Sequence, residues 1–166
     1  MKLRCQIEPS DYVRAQYLHI RPKPPFQWIG IPLVLLLVLV GLQQVFLPRD
    51  GKITAIPFAI FGVLAYFALS YGIWLPYRTK KIYKQQKTLQ EPYEAELTEE
   101  EFVSTNSFGT ARIKWADFHK YKVGKDIVLV YQSDLIFHLF PKRWFSDDDF
   151  RKLLQILQNS LGKSTP

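Results

Sequence analysis

The sequence predicts an α+β membrane protein, in which a transmembrane helical hairpin is joined to a small antiparallel β-sheet domain capped by one C-terminal α-helix. Three observations lead to this prediction. Two long blocks without charged residues precede residue 78, and the positive charge is concentrated on their flanks. From residue 93 the apolar residues recur with a period of two, which is typical of strands, and the chain closes with helical spacing.

The two apolar blocks, residues 26–47 and 53–77, are each long enough to cross a bilayer. At about 1.5 Å per residue, roughly 20 helical residues span a hydrocarbon core of about 30 Å. The short connection "PRDGK" (48–52) predicts a tight hairpin, with Asp50 and Gly51 supplying the turn. The first block starts late and is too long for a signal peptide, so we expect it to remain as an anchor.

The distribution of charge predicts the orientation of the hairpin. The net charge is +7, with five basic residues in positions 1–25 and five in positions 78–87. From residue 88 onward there are ten basic and twelve acidic residues, so a nucleic-acid footprint is not expected there. The positive-inside rule therefore places both termini in the cytoplasm, at the plasma (inner) membrane.

The composition of the spans favours an anchor over a conduit. Gln43 and Gln44 are their only strongly polar residues, and the spans contain no Asp, Glu, Lys, Arg or His to carry ions or protons. Small residues in the second block would allow close approach of another helix, which leaves a membrane-protein partner open. These residues are Ala55, Ala59, Ala68 and Gly72.

The N-terminal segment, residues 1–25, contains a strand and a short helix. "KLRCQI" (2–7) alternates polar and apolar residues but has no local partner, so we expect it to add to the sheet of the C-terminal domain. Pro9 and Pro22 bound a short helix that either lies on the bilayer surface or docks on that domain. Its predicted apolar face consists of Val13, Tyr17 and Ile20.

The basic segment 78–92 is predicted to continue the second span as a helix and to lead into the C-terminal domain, residues 93–166. About five short strands follow, with turns at Gly124 and at Ser133-Asp134. Ser146 is a good N-cap for a final helix, and the aspartates at 147–149 suit its positive end. The apolar face of that helix comprises Phe150, Leu153, Leu154, Leu157 and Leu161.

Several short motifs resemble the YcxB-like family of bacterial membrane proteins. They are "IKWADFHKY", with Ile113 and Trp115, "PKRWF", with Pro141, Lys142, Arg143 and Phe145, and the pair Asp11-Tyr12. The resemblance covers nearly the whole chain, since two apolar spans, a series of strands and a C-terminal helix are all present. It implies a C-terminal domain of pleckstrin-homology-like type, and it implies no established activity.

No catalytic set is recognisable, so we expect a protein that is not an enzyme and that needs no cofactor or metal. The three histidines lack metal-ligand spacing, and Cys5, the only cysteine, is interpreted as a small packed side chain. The predicted function is a membrane-anchored, cytoplasmic-facing binding or scaffolding module. The alternative is an accessory or regulatory subunit of a membrane transport or resistance complex.

One candidate binding site stands ahead of the final helix, at Lys142, Arg143 and Trp144. In one interpretation the two charges only compensate the neighbouring aspartates. In the other, the three residues contact lipid headgroups or a partner, because Trp favours the bilayer interface and basic residues favour anionic lipid. Phe145 is expected to be buried beneath the helix that it precedes.

Overall fold

The computed structural model describes residues 1–22, 24–47 and 55–164, and its chain divides into two compact units. The hairpin unit is Pro22–Arg78, and the sheet unit combines Met1–Arg21 with Thr79–Pro166. The apolar hairpin is therefore an insertion within the sheet unit rather than a segment that precedes it. The turn predicted at Asp50-Gly51 lies outside the described residues.

The secondary structure follows the predicted order. The helices are α1 (Pro9–Ile20), α2 (Pro24–Phe46), α3 (Ile56–Leu69), α4 (Leu75–Gln85), α5 (Lys87–Gln90) and α6 (Asp147–Leu161). The strands are β1 (Lys2–Cys5), β2 (Tyr93–Leu97), β3 (Glu101–Asn106), β4 (Gly109–Lys114), β5 (Lys120–Val123), β6 (Ile127–Tyr131) and β7 (Phe137–Pro141). A π-helical turn at Ser70–Trp74 joins α3 to α4.

Among the described residues, two helices are long and apolar enough to cross a membrane, Trp28–Phe46 and Ile56–Gln85, and residues 79–85 of the second belong to the sheet unit. They pack against each other at Gly41, where an added Cβ would lie 3.0 Å from the Phe61 ring. Glycine favours this close approach, because a Cβ at position 41 would require the Phe61 ring to shift by a few tenths of an ångström. The second helix extends beyond the predicted span, through most of the basic segment, as the sequence suggested.

The sheet unit contains two antiparallel sheets, β1-β2-β3-β4 and β5-β6-β7. The prediction that the N-terminal strand joins the C-terminal domain is confirmed, because Leu3 of β1 lies opposite Ala95 of β2. On the outer face Lys2 lies opposite Glu96, with 3.7 Å between Nζ and Oε2. Opposite charges facing each other across the strands favour this register. Among the described residues, six strands begin at or after residue 93, one more than predicted, because "KYKV" forms β5 after a 3₁₀ turn.

Strand β6 forms the centre of the sheet unit, since all five of its residues are buried. Val128 and Val130 face one apolar cluster, together with sheet β1–β4 and α6. Ile127, Leu129 and Tyr131 face a second cluster, together with α1 and Tyr83 of α4. The small sheet is thus covered on both sides, which explains its continuous apolar sequence.

The predicted apolar face of α1 is wrong. The side of the helix that docks on the domain carries Asp11, Ala15 and Leu18, all buried, whereas Ile20 is 42% exposed. The physical reason is an ion pair between Asp11 and Arg143, which offsets the cost of burying the Asp11 carboxylate. The sequence left open whether this helix lies on the bilayer surface or docks on the C-terminal domain, and in the structure it docks on the domain.

The start of α6 agrees with its sequence signals. The Ser146 side chain accepts a hydrogen bond from the Asp149 N–H at 3.1 Å, and Leu153 and Leu157 are fully buried. Cys5 is also buried, and burial raises the pKa of its thiol to about 12. Trp115 lies in the same core, where its Nε1–H donates to the Thr98 carbonyl at 2.9 Å.

Candidate functional site

The corner predicted as a binding site is a 3₁₀ turn, Lys142–Trp144, between β7 and α6. Lys142 pairs with Asp147, with 3.1 Å between Nζ and Oδ1, and its ammonium lies 5.7 Å from the centre of the Phe150 ring. Phe145 is half-buried and also packs against Phe150. The first basic residue of the corner is therefore held against the first turn of α6.

Arg143 is bound to the other end of the chain. Its Nη2 donates to Asp11 Oδ2 at 2.6 Å and to the Gln6 carbonyl at 3.0 Å, while Nη1 lies 3.0 Å from Glu8 Oε1. The hydrogen bond to Asp11 is the main cause that raises the pKa of Arg143, so this guanidinium remains charged. Asp11 is only 2% exposed, and burial of a carboxylate requires such a partner.

Trp144, the third candidate residue, is half-buried and contacts Tyr93 edge-on, with ring centres 6.0 Å apart. Its indole N–H is buried and has no hydrogen-bond partner among the described residues. Lys142 and Arg143 keep about half of their side-chain surface, but each already has an acidic partner. The lipid or partner contact at these three residues stays a prediction.

The sequence interpretation missed the acidic partners of Arg143, which lie more than 130 positions away. The sequence interpretation used Asp11 as part of the Asp11-Tyr12 pair. One signal was present, since an acid at the spacing i, i+4, i+7 with Ala15 and Leu18 falls on the buried side of a helix. A charged residue in that position implies a distant partner of opposite charge.

A second surface, which the sequence did not suggest, is a cavity of about 500 Å³ in the sheet unit. It is bordered by α1, α5, β2, β3, β7 and the turn that joins β6 to β7. Among the described residues that line it there is no Lys, Arg, Asp or Glu, although 22% of the chain is charged. We call it the uncharged groove.

The main polar group of the uncharged groove is His138 on β7. Its ring lies edge-on to Phe102 and Phe118, with centres 5.5 and 5.6 Å away. Burial lowers the pKa of His138, so the imidazole is neutral at physiological pH. Ser104 and Asn106 of β3 add neutral hydrogen-bonding groups.

The mouth of the uncharged groove is apolar. Leu135 is 83% exposed and Ile136 is 59% exposed, at the turn before β7. Both residues precede Phe137, the first residue of β7, so they belong to the turn and not to the strand. Large exposed apolar side chains beside a cavity are a mark of binding surfaces.

The described residues include no group of three or more His, Cys, Asp or Glu side chains that could hold a metal ion. His19 lies on the opposite side of β7 from His138, stacked 5.1 Å from Phe137 and hydrogen-bonded to the Tyr131 hydroxyl. His119 is exposed. The structure therefore does not bring the three histidines together.

Comparison with known proteins bears on the second half of the chain. Residues 97–157 match the family model described as YcxB-like protein, from the end of β2 into α6. No curated protein and no solved structure matched the chain. The matched segment contains both of the longer motifs on which the resemblance rests, "IKWADFHKY" and "PKRWF".

Proposed function

We propose that this chain, which carries a YcxB-like domain at residues 97–157, is a binding module anchored in the plasma (inner) membrane and facing the cytoplasm. The YcxB-like domain and the two apolar helices fit a membrane-anchored module. The proposal adds that the sheet unit acts by binding a ligand or partner rather than by catalysis. In the same proposal its fold is of the pleckstrin-homology-like type, with a C-terminal helix over antiparallel strands.

The observation that carries the proposal is the insertion of the hairpin between β1 and β2. These two strands are neighbours in one sheet, with Lys2 to Cys5 paired to Glu96 to Tyr93. Both flanks of the hairpin therefore return to the same folded sheet, which supports an even number of membrane crossings. The five basic residues on each flank support the cytoplasm as the side on which that sheet lies.

The chemistry of the uncharged groove supports binding over catalysis. The polar groups described along it are one neutral imidazole, two tyrosine hydroxyls and several neutral hydroxyls and amides, so no carboxylate, thiol or ammonium among the described lining residues is placed to orient a base or to act as a nucleophile. A cavity of about 500 Å³ is also in the range of ligand sites. The groove is therefore the surface on which we expect the ligand of the module.

Removal of residues 26–77, with a short Gly-Ser linker in their place, tests the anchoring role. Because β1 still reaches β2 across the linker, we expect the truncated chain to fold and to move from the membrane to the soluble fraction of cells. Protection of Cys5 from thiol reagents checks the fold, since Cys5 is buried only when β1 is in the sheet. A folded truncated chain that stays with the membrane would contradict the anchoring role.

Thiol labelling in intact cells tests the orientation. In a Cys5→Ser background, Ser164→Cys places the only thiol at an exposed position near the C-terminus. We expect a membrane-impermeant maleimide to label it only after permeabilisation, whereas a matched Gly51→Cys variant should label in intact cells. Labelling of both variants in intact cells would contradict the cytoplasmic orientation.

A second candidate function, a subunit of a transport or resistance complex, is favoured by one feature of the hairpin unit. Cβ atoms built at Gly62 and Gly72 would meet no described atom within 4 Å, unlike the one at Gly41. These small residues are open to another helix, and Gly72 lies in the π-helical turn. A stoichiometric membrane partner that co-purifies with the wild type and is lost in Gly72→Leu would support the subunit.

A further inference from the structure

The open edge of β7 runs along the uncharged groove. β7 is an edge strand, because the order of its sheet is β5-β6-β7. Two backbone hydrogen bonds bracket its pairing with β6, from Lys142 N–H to the Asp126 carbonyl at 2.8 Å and from Gln132 N–H to the Ile136 carbonyl at 2.9 Å. They fix which residues of β7 bond to β6.

The alternation of an antiparallel ladder gives the direction of the remaining backbone groups. Hydrogen-bonded pairs recur at every second residue, so Phe140 and His138 bond to Val128 and Val130 of β6. The N–H and C=O groups of Phe137 and Leu139 then point away from β6. Within the described residues, no backbone hydrogen bond outside the ladders ends on either residue, and both line the groove.

We propose that the uncharged groove binds an extended, uncharged peptide segment of a partner protein, which adds as a strand to the open edge of β7. The proposal rests on the proposed binding function and names the ligand of that module. Unpaired N–H and C=O groups at a strand edge are satisfied most completely by the backbone of another strand. The apolar mouth at Leu135 and Ile136 adds contact area for its side chains.

Charge complementarity selects this occupant over others. The described residues that line the groove provide no cation for a phosphate or an anionic headgroup, and no acid for a basic peptide. The basic corner at Lys142 and Arg143 has its own acids, since Arg143 is bound to Asp11 and Lys142 to Asp147. A lipid acyl chain would leave the edge groups of Phe137 and Leu139 without hydrogen bonds, which is unfavourable for buried polar groups.

The side chains on the two sides of the groove predict which residue types alternate along the bound peptide. Successive residues of an added strand point alternately toward the two faces of the β5–β7 sheet. One face carries Tyr12 and Leu89, packed on the second cluster, with the polar groups of Gln16, Gln86 and Thr88 beside them. The other face carries Ser104 and His138, with Phe102 beneath them. We expect apolar side chains at every second position and small or neutral hydrogen-bonding ones between them.

The test uses the full chain in nanodiscs of neutral phosphatidylcholine, panned against a displayed library of random linear decapeptides. A selected peptide is then titrated by fluorescence polarisation against the wild type and two variants. Ser104→Arg fills the groove with a charge, and Thr105→Arg is the matched control, because Thr105 is the next residue of β3 and lies on the opposite, exposed face. Slow labelling of Cys5 verifies that each variant is folded.

We expect selected peptides without net charge, and a loss of affinity of about tenfold or more in Ser104→Arg but not in Thr105→Arg. Backbone N-methylation at alternate peptide residues should abolish binding in one register and leave it in the other, because only one edge of an added strand faces β7. Tolerance of N-methylation in both registers, or equal binding by the two variants, would overturn strand addition.

Two further outcomes separate the inference from the function on which it rests. Mass spectrometry of the purified chain that finds a neutral lipid in the wild type but not in Ser104→Arg would overturn the peptide and identify a lipid groove. Crosslinking in cells that captures the same partner with the wild type and Ser104→Arg would overturn the groove while the binding function stands. Crosslinking that finds no partner of the wild type would overturn both.

Discussion

Loss of the Arg143 guanidinium should weaken the packing of α1 on the strands and lower the stability of the sheet unit. In Arg143→Ala, the Asp11 carboxylate keeps one hydrogen bond, from the Glu8 N–H at 2.9 Å, but loses its counter-ion. Removal of one partner of a fully buried ion pair costs about 3–5 kcal/mol. Arg143 is 42% exposed, so solvent replaces part of the pair, and we expect the free energy of unfolding to fall by about 2–3 kcal/mol.

The loss of stability in Arg143→Ala can be measured from the labelling of Cys5, the single cysteine of the chain. Cys5 is buried in β1, so a fluorogenic maleimide added during heating reports the unfolding of the sheet unit and not of the membrane helices. At roughly 4 °C per kcal/mol for a domain of about 100 residues, Arg143→Ala should lower the midpoint by roughly 10 °C. In the double variant with Asp11→Ala the loss should be smaller than the sum of the single losses, because the two residues share one interaction.

The matched control is Arg14→Ala on the same helix. Arg14 lies 3.9 Å from Asp126, and both side chains are more than half exposed, so this pair should contribute at most about 1 kcal/mol. A midpoint for Arg143→Ala within about 2 °C of that for Arg14→Ala would refute the reasoning, since such a shift is worth only about 0.5 kcal/mol. It would mean that water replaces the guanidinium at Asp11 almost completely.

Three other predictions can be checked with the same thermal assay or with simple labelling. Gly124→Ala places a Cβ 2.9 Å from Leu18 Cδ2, so overpacking should cost about 1–3 kcal/mol, and less in a Leu18→Ala background. Burial lowers the pKa of His138 in the folded chain, so as the pH falls this imidazole is protonated in the unfolded chain before it is protonated in the folded one. The contribution of His138 to the free energy of unfolding should therefore be fully present above pH 6.5 and be lost progressively below it, so stability should fall less with acid in His138→Gln than in the wild type. An equal fall in both proteins would contradict this. At neutral pH and room temperature Cys5 should react with maleimide far more slowly than in denaturant, because its thiol is buried with a pKa of about 12; rapid labelling of the native chain would contradict the β1–β2 pairing.

Local sequence patterns were sufficient for the elements that depend on neighbours close in the chain. The apolar blocks, the strand-to-helix corner and the Ser146 cap follow from composition and from spacings of a few residues. The pairing of β1 was also predictable, because an alternating strand with no local partner needs one elsewhere. The local elements depend on interactions between residues that are close in the chain. The pairing of β1 depends on the need of every strand for a hydrogen-bonded neighbour.

Only the tertiary structure decided which distant groups meet. The burial of Asp11 depends on Arg143, more than 130 positions later, so the period of α1 alone selected the wrong face. The uncharged groove likewise needs residues from both ends of the sheet unit around the edge of β7. Periodicity states how residues are arranged along one element, whereas the pairing of charges and the openness of a strand edge depend on how several elements pack around the same point.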